Sequence, residues 1–170
     1  YGEAGAVITD NQQIADRIKM LRDHGQSQKY YHDSIGWNAR MDGFQGAVLE
    51  IKLRHLPKWN ELRRSHAAQY TKGLAGIKGL ITPQEQDYAR HIYHIYAVRL
   101  KEREKFMAAL NAEGVSCGIH YPVPIHLQKA YEFLDLKPGS FPVAEKCAAE
   151  FVSLPMFPEL SDEEVAYVVD

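Results

Sequence analysis

The sequence predicts a mixed α/β chain in two parts. Residues 1–79 read as the closing portion of a larger layered domain with a long connecting helix, and residues 80–170 as a small α+β domain. Three observations point there. Helical periods with recognisable caps fill most of the first part. After Gly79 the pattern changes to short extended runs alternating with short helices. The composition, 45% apolar and 25% charged, is that of a packed globular protein, and 170 residues suffice for a core without disulfides or metals.

Taken in order, "AVIT" (residues 6–9) is a short β-type run. Asp10 with Gln13 three positions later predicts a helix start, and Ile14, Ile18 and Leu21 at i, i+4 and i+7 give that helix one apolar face. Gly25 is its natural stop. Residues 26–40, "QSQKYYHDSIGWNAR", follow neither a helical nor a strand period and read as loop. Asp42 and Gln45 repeat the helix-start signal ahead of a long helix, with Phe44, Val48, Ile51 and Leu56 expected inward. Pro57 is expected to kink or break it, and Trp59, Leu62 and Tyr70 to resume it. Lys52, Arg54, Lys58, Arg63 and Arg64 are expected to form a solvated face.

In the second part, "HIYHIYAVRL" carries bulky residues on both alternating faces and predicts a strand covered on both sides. Residues 102–113 predict a helix ending at Gly114. "VSCGIHY" alternates Val115, Cys117, Ile119 and Tyr121 on one face, with His120 on the other. Pro142 sits where a helix favours proline, ahead of a stripe of Val143, Cys147 and Phe151. "FVSLPMF" reads as a last extended run. Ser161 and Glu164 form a capping box before a final helix.

Charge excludes some functions. A net charge of −2 offers nucleic acid or an anionic membrane no general attraction. No apolar run approaches the roughly 20 residues of a membrane span. Cys117 and Cys147, both in apolar runs, read as reduced thiols of a cytoplasmic protein. The absence of an initiating segment and the short final helix read as a fragment of a longer chain. A metal site is not expected. His91 and His94 fall on opposite faces of a strand, with no cysteine pair nearby, and Cys117 and His120 likewise project apart. No Walker loop and no G-x-G-x-x-G is present.

Two segments remain. The loop at residues 29–40 offers Tyr30, Tyr31 and Trp37 as stacking surfaces and the amide of Asn38 as an uncharged donor. It suits a phosphorylated ligand with a ring, or equally a packed aromatic loop with Asn38 in an Asx-turn. "GIHYPVPIH" (residues 118–126) is either a strand terminus with a solvated His120 or a stiff, ligand-facing lip, because Pro122 and Pro124 exclude a central strand.

The stretch "YGEAGAVITDNQQIADRIKMLRDHGQSQKYYHDSIGWNARMDGFQGAVLEIKL", with "GIHYPVPIHLQKAY" and "FPVAEKCAAEFVSLPMFPELSDEEV", resembles the DegT/DnrJ-type nucleotide-sugar aminotransferases. The likeness runs over essentially the whole chain, in order. It implies an aspartate-aminotransferase-like (type I) fold and pyridoxal 5'-phosphate (PLP) as cofactor. It also implies transfer of an amino group, usually from glutamate, to a keto sugar on a nucleoside diphosphate. The family's cofactor-anchoring lysine is implied to lie upstream of Tyr1, so no catalytic residue is assigned in this chain. The family's homodimer implies that Asn38, in "GWNARMD", hydrogen-bonds the phosphate of PLP held by the other subunit. Tyr30 and His32 in "KYYH", and His120 and Tyr121 in "GIHYP", are implied to contact the substrate's pyrophosphate and sugar. Ala4, where the family usually has Gly, and Trp37, where it often has Tyr, depart from the pattern. A family branch with histidine for lysine, which dehydrates sugars, and a non-catalytic binding or regulatory protein are the alternatives.

Overall fold

A computed structural model describes residues 2–170. They fall into two compact units, Tyr1–Leu56 and Pro57–Asp170.

In the first unit, residues 6–9 form no strand and Ile8 is 95% exposed. A β-type run needs a neighbouring ladder for its backbone groups, and none pairs with it among the described residues. Helix α1 (Gln12–Arg22) starts one residue later than expected. Asn11, rather than Asp10, caps it, its Oδ1 accepting from the amides of Gln13 at 3.0 Å and Ile14 at 3.2 Å. The chain then turns through two left-handed residues, His24 at φ 59° and Gly25 at φ 73°. The expected loop contains a small antiparallel hairpin, β1 (Gln26–Gln28) and β2 (Tyr31–His32), with Gln26 opposite His32.

Helix α2 (Gly43–Gly73) begins at the second expected signal, the Asp42 amide donating to Gln45 Oε1 at 3.0 Å. Two points need correction, the alternative of a break at Pro57 and the inward face. Pro57 lies inside the helix without ending it. Proline deletes one amide donor, and the turns that follow are anchored by the buried His66, Ala67 and Tyr70. The face expected inward before Pro57 is open: Phe44 is 65% exposed, and Ile51 and Leu56 are exposed as well. No hydrophobic side chain is buried among residues 2–56, so periodicity marked an apolar face that this stretch does not itself cover.

The second unit owns a core. Ala67, Tyr70 and Leu74 from the end of α2 pack with Tyr93, Tyr96, Val98, Val152, Leu154, Leu160 and Val165. This packing explains why the compact units divide at Pro57 and not at 79/80: the C-terminal turns of α2 supply one wall of the second core. Strands β3 (Tyr96–Arg99) and β4 (Phe151–Leu154) pair antiparallel, with Tyr96 opposite Leu154, Ala97 opposite Ser153, and Val98 opposite Val152. Tyr70 Oη donates to the Pro155 carbonyl at 3.0 Å, and the Thr71 and Tyr96 hydroxyls meet at 2.8 Å. Burial pushes the Tyr70 phenol up to about 12.

Strand β3 is shorter than the run that predicted it and buried on one face only, Ala97 and Arg99 being half-covered. Residues 91–95 leave the ladder because the His91 amide is taken by Glu85 Oε1 at 2.8 Å and Tyr93 sits at φ 49°. The expected solvated basic face of α2 is partly engaged there. Arg64 grips Glu85 through two bonds, of 2.6 and 3.1 Å, and donates to the His91 carbonyl at 2.6 Å. Glu85 is held below the ordinary carboxylate range, chiefly by Arg64 and then by the His91 amide.

Helix α3 (Arg103–Ala112) closes through Gly114 at φ 78°. Helix α4 (Pro142–Glu150) starts on proline as expected. Its buried side is Ala148 with a half-buried Cys147, whereas Val143 is 75% exposed. Helix α5 (Asp162–Val169) carries the complete Ser161–Glu164 capping box. Residues 115–121 do not form the expected strand. They touch β4 at one bridge, Gly118 to Ser153, before Pro122 and Pro124 end the pairing.

Val98 and Val152, fully buried and directly opposed, are the centre of this unit. Val152→Ala is expected to lower unfolding free energy by about 2 kcal/mol, whereas Val143→Ala on the open face should change it by less than about 0.5 kcal/mol. Urea unfolding followed by circular dichroism measures both.

Candidate functional site

In residues 2–56 the expected site residues Tyr30, His32 and Asn38 belong to one loop laced to the end of α1. Leu21 and Arg22 give their carbonyls to the amides of Trp37 at 2.7 Å and Ala39 at 2.8 Å, and the His24 amide donates to the Trp37 carbonyl at 2.9 Å. Two glycines permit this approach. A Cβ on Gly36 would lie 2.1 Å from the Gly25 nitrogen, and one on Gly25 would lie 1.8 Å from the Ser34 carbonyl oxygen.

Each candidate is then oriented by one neighbour. Arg40 Nε donates to Asn38 Oδ1 at 3.0 Å, while its Nη1 pairs with Asp23 Oδ1 at 3.1 Å. The Asx-turn reading of Asn38 is thereby replaced: its Oδ1 accepts from the Arg40 side chain, and the residue, with its NH₂ donor, is exposed. His32 Nδ1 lies 3.0 Å from the His24 carbonyl, to which only an N–H can donate, so Nε2 faces outward as the unengaged atom. Tyr30 is held at φ 75° with its amide on Gln26 Oε1 at 2.9 Å, and Lys29 Nζ sits 5.1 Å from its ring centroid. The result is one loop bearing an amide donor, an imidazole nitrogen and an aromatic face, suited to a polar ligand with a flat or apolar group.

In residues 57–170, His120 and Tyr121 stand together at an open cleft of about 490 Å³. Their rings meet edge to face at 5.3 Å, and the peptide bond between them is cis. Ser153 Oγ lies 2.8 Å from His120 Nδ1, and Gly118 and Ser153 exchange backbone hydrogen bonds of 3.0 and 2.7 Å. His94, Ser116 and Cys117 also line the cleft, and no carboxylate is among its described lining residues. Burial pushes the Cys117 thiol up, which disfavours the nucleophilic thiolate.

The proline segment is secured at its far end too. His126 Nε2 meets Glu145 Oε1 at 3.0 Å and its ring packs against Phe141 at 4.9 Å. Glu145 also accepts from the amides of Gly139, at 2.9 and 2.8 Å, and of Phe141, at 3.1 Å. The lip is therefore a strut between β4 and α4. Sequence reasoning singled out five ligand-facing candidates and missed those that aim them: Arg40, Gly25, Gly36, Ser153 and Glu145. One signal was available for Ser153, a hydroxyl between Val152 and Leu154 in an otherwise apolar run.

The chain belongs to the DegT/DnrJ/EryC1/StrS aminotransferase family, which it matches over residues 1–170. It is 42% identical over 172 residues to a pleiotropic regulatory protein of Geobacillus stearothermophilus, covering 100% of this chain and 46% of that protein. It is 40% identical over 170 residues to dTDP-3-amino-3,4,6-trideoxy-alpha-D-glucose transaminase of Streptomyces venezuelae, covering 100% of this chain and 45% of the relative. The crystal structure of S. venezuelae DesV superposes with a TM-score of 0.89 at 39% identity, over 96% of this chain and 44% of that one. The aspartate-aminotransferase-like fold read from the resemblance therefore holds, and the chain spans about half the length of the curated relatives it matches. The lysine implied upstream of Tyr1 lies outside the described residues.

Two outcomes test this geometry. Gly36→Ala is expected to open the loop, seen as faster hydrogen exchange at the Trp37 and Ala39 amides than in the unsubstituted protein. Glu145 is held below the ordinary carboxylate range, first by the Gly139 amide, then by the Phe141 amide and His126. A depressed folded pKa stabilises the fold fully above the unfolded value of about 4.3 and loses that contribution as pH falls through the lower folded value. Urea unfolding from pH 7 to pH 3 should therefore show Glu145→Gln less stable at neutral pH, with the difference from the parent shrinking in acid.

Proposed function

We propose that the full-length protein is a PLP-dependent aminotransferase that moves an amino group, with glutamate as donor, onto a keto sugar linked to a nucleoside diphosphate. This chain would supply the wall of the site that reaches across a homodimer interface, as the end of the large domain and the small α+β domain. Family membership supports the reaction class, and the transaminase named among the relatives supports the substrate class. The observation that carries the reading is the state of Asn38: Arg40 occupies its carbonyl oxygen and leaves the amide NH₂ as donor, the half that a phosphate requires.

The residues present fit the cofactor. The Asn38 NH₂ would donate to the phosphate of PLP held by the partner subunit, with Arg40, itself paired with Asp23, holding the amide in place. When bound, PLP supplies an electron sink at the carbon that gains or loses the amino group, while the protein provides orientation and electrostatics. Tyr30 and His32 would hold the sugar nucleotide through an aromatic face and a ring nitrogen. His120 and Tyr121 would meet its pyrophosphate and sugar from a cleft with no carboxylate among its described lining residues. Because the lip is tied to both β4 and α4, little ordering accompanies binding there. The unpaired Cys117 and Cys147 suit a cytoplasmic setting.

A second reading, a regulatory protein that binds without catalysis, is favoured by the name of the Geobacillus relative. Cofactor uptake separates the two. The full-length protein is expected to bind PLP with an absorbance band, and absence of uptake would favour regulation. Asn38→Ala should raise the Kd for PLP about ten-fold, the scale of one charge-assisted hydrogen bond, with the dimer intact by analytical ultracentrifugation. An unchanged Kd removes Asn38 from the cofactor site.

A further inference from the structure

We propose that Ser153 is the positioning residue for His120, engaging Nδ1 so that Nε2 is the ring nitrogen presented to the ligand. This rests on the reading above that the His120 lip meets the diphosphate of the substrate.

Ser153 occupies a place where a strand favours a β-branched or apolar residue. Its neighbours Val152 and Leu154 are buried, and Ser153 itself is 6% exposed. A hydroxyl in such a place needs a partner, and its one side-chain partner is His120 Nδ1 at 2.8 Å. Both ends of this bond are secured by the backbone. Ser153 is registered opposite Ala97 in β3, and its N–H and C=O are both bonded to Gly118, two residues before the histidine. Gly118 also lies close to this edge of the ring, since a Cβ there would lie 3.2 Å from His120 Cε1. The hydroxyl and the bare backbone thus both meet the Nδ1–Cε1 edge of an exposed imidazole.

The consequence is chemical. A serine hydroxyl both donates and accepts, so it holds the ring in either protonation state. With Ser153 donating to Nδ1, the neutral imidazole carries its proton on Nε2. If the ring is protonated, Nε2 still bears a proton and Ser153 accepts from Nδ1. Both states present an Nε2–H to the cleft, and an anion there selects them over the tautomer that would offer a lone pair. The cleft suits an anion: His94, Ser116 and Tyr121 add donors and no described lining residue is a carboxylate. Ser153 thus acts on affinity through His120 without touching the ligand.

The experiment uses the full-length, PLP-loaded protein and measures binding of dTDP and UDP by titration calorimetry. His120→Ala is expected to weaken the tighter-binding nucleotide. Ser153→Ala should weaken it about three- to ten-fold, the scale of one hydrogen bond, and Ser153→Thr, which keeps the hydroxyl, should recover most of that loss. In the His120→Ala background, Ser153→Ala should have no further effect, because its action runs through the ring. A purely structural serine would weaken binding equally in both backgrounds and would overturn the proposal, as would unchanged binding in Ser153→Ala while His120→Ala binds weakly. Either of those results leaves the lip as a substrate contact. Unchanged binding in His120→Ala, or no nucleotide binding by the parent, instead removes the lip from the substrate site and the positioning role with it.

Discussion

The antiparallel pairing of Tyr96–Arg99 with Phe151–Leu154 places Val98 against Val152 and, one residue along, Ala97 against Ser153. Its apolar alternation buries Tyr96 and Val98 from one strand and Val152 and Leu154 from the other. A slip of one residue would exchange apolar and polar faces along β4 and carry the Ser153 hydroxyl away from the cleft. The second, polar consequence of the register is the bridge to Gly118, through which the lip inherits its position. Core packing and site geometry are therefore one constraint in residues 57–170. The tyrosines of α2 and β3 reinforce it from behind, the Tyr70 ring packing tilted against Tyr96 at 5.1 Å while its hydroxyl reaches Pro155, just past the end of β4.

Residues 2–56 hold their candidate loop by different means. No hydrophobic side chain is buried there, and order comes from backbone hydrogen bonds to the end of α1 and from the contact that only two glycines allow. Such a loop is specified by sterics more than by burial. It tolerates exposed aromatic residues such as Tyr30 and Trp37 because they contribute little to holding it. Side chains left exposed by a fold that does not need them are available for binding.

What could be read from residue order was what the chain decides locally. Capping and helix-stop chemistry involve neighbours within four positions, so the Ser161–Glu164 box, the Pro142 start, the Gly114 stop and the Asp42–Gln45 entry all stand where the sequence predicts them. Apart from the one-residue shift of the α1 cap from Asp10 to Asn11, misreadings occurred where a distant group decides. Residues 6–9 have strand character and no ladder to join. Residues 115–121 alternate correctly but reach only one bridge. Pro57 stays helical because the turns beyond it are anchored by burial, a fact about Tyr70 and Tyr96 that no local window holds. The candidate site divides in the same way. Candidate ligand-facing residues were recognisable as side-chain types and through family resemblance, whereas Arg40 is held by Asp23 from 17 positions away and Ser153 acts 33 positions from His120.

A shared device emerges at three of the five candidate positions. Asn38, His32 and His120 each carry two non-equivalent polar atoms, and in each the protein engages one: Oδ1 by Arg40, Nδ1 by a carbonyl, Nδ1 by a hydroxyl. Engaging one atom removes the ambiguity of the other. For Asn38 the engaged atom is an acceptor, which leaves donors. For His32 the carbonyl takes the Nδ1 proton, which leaves an Nε2 lone pair in the neutral ring. For His120 the hydroxyl is indifferent, so the ligand chooses. The three partners thus differ in how strictly they prescribe the outward atom, from fixed donor through fixed tautomer to responsive tautomer. A diphosphate requires donors throughout, whereas a sugar hydroxyl accepts either partner. On chemistry alone, Asn38 and His120 suit anionic oxygens, and neutral His32 is better matched to a hydroxyl that donates to it.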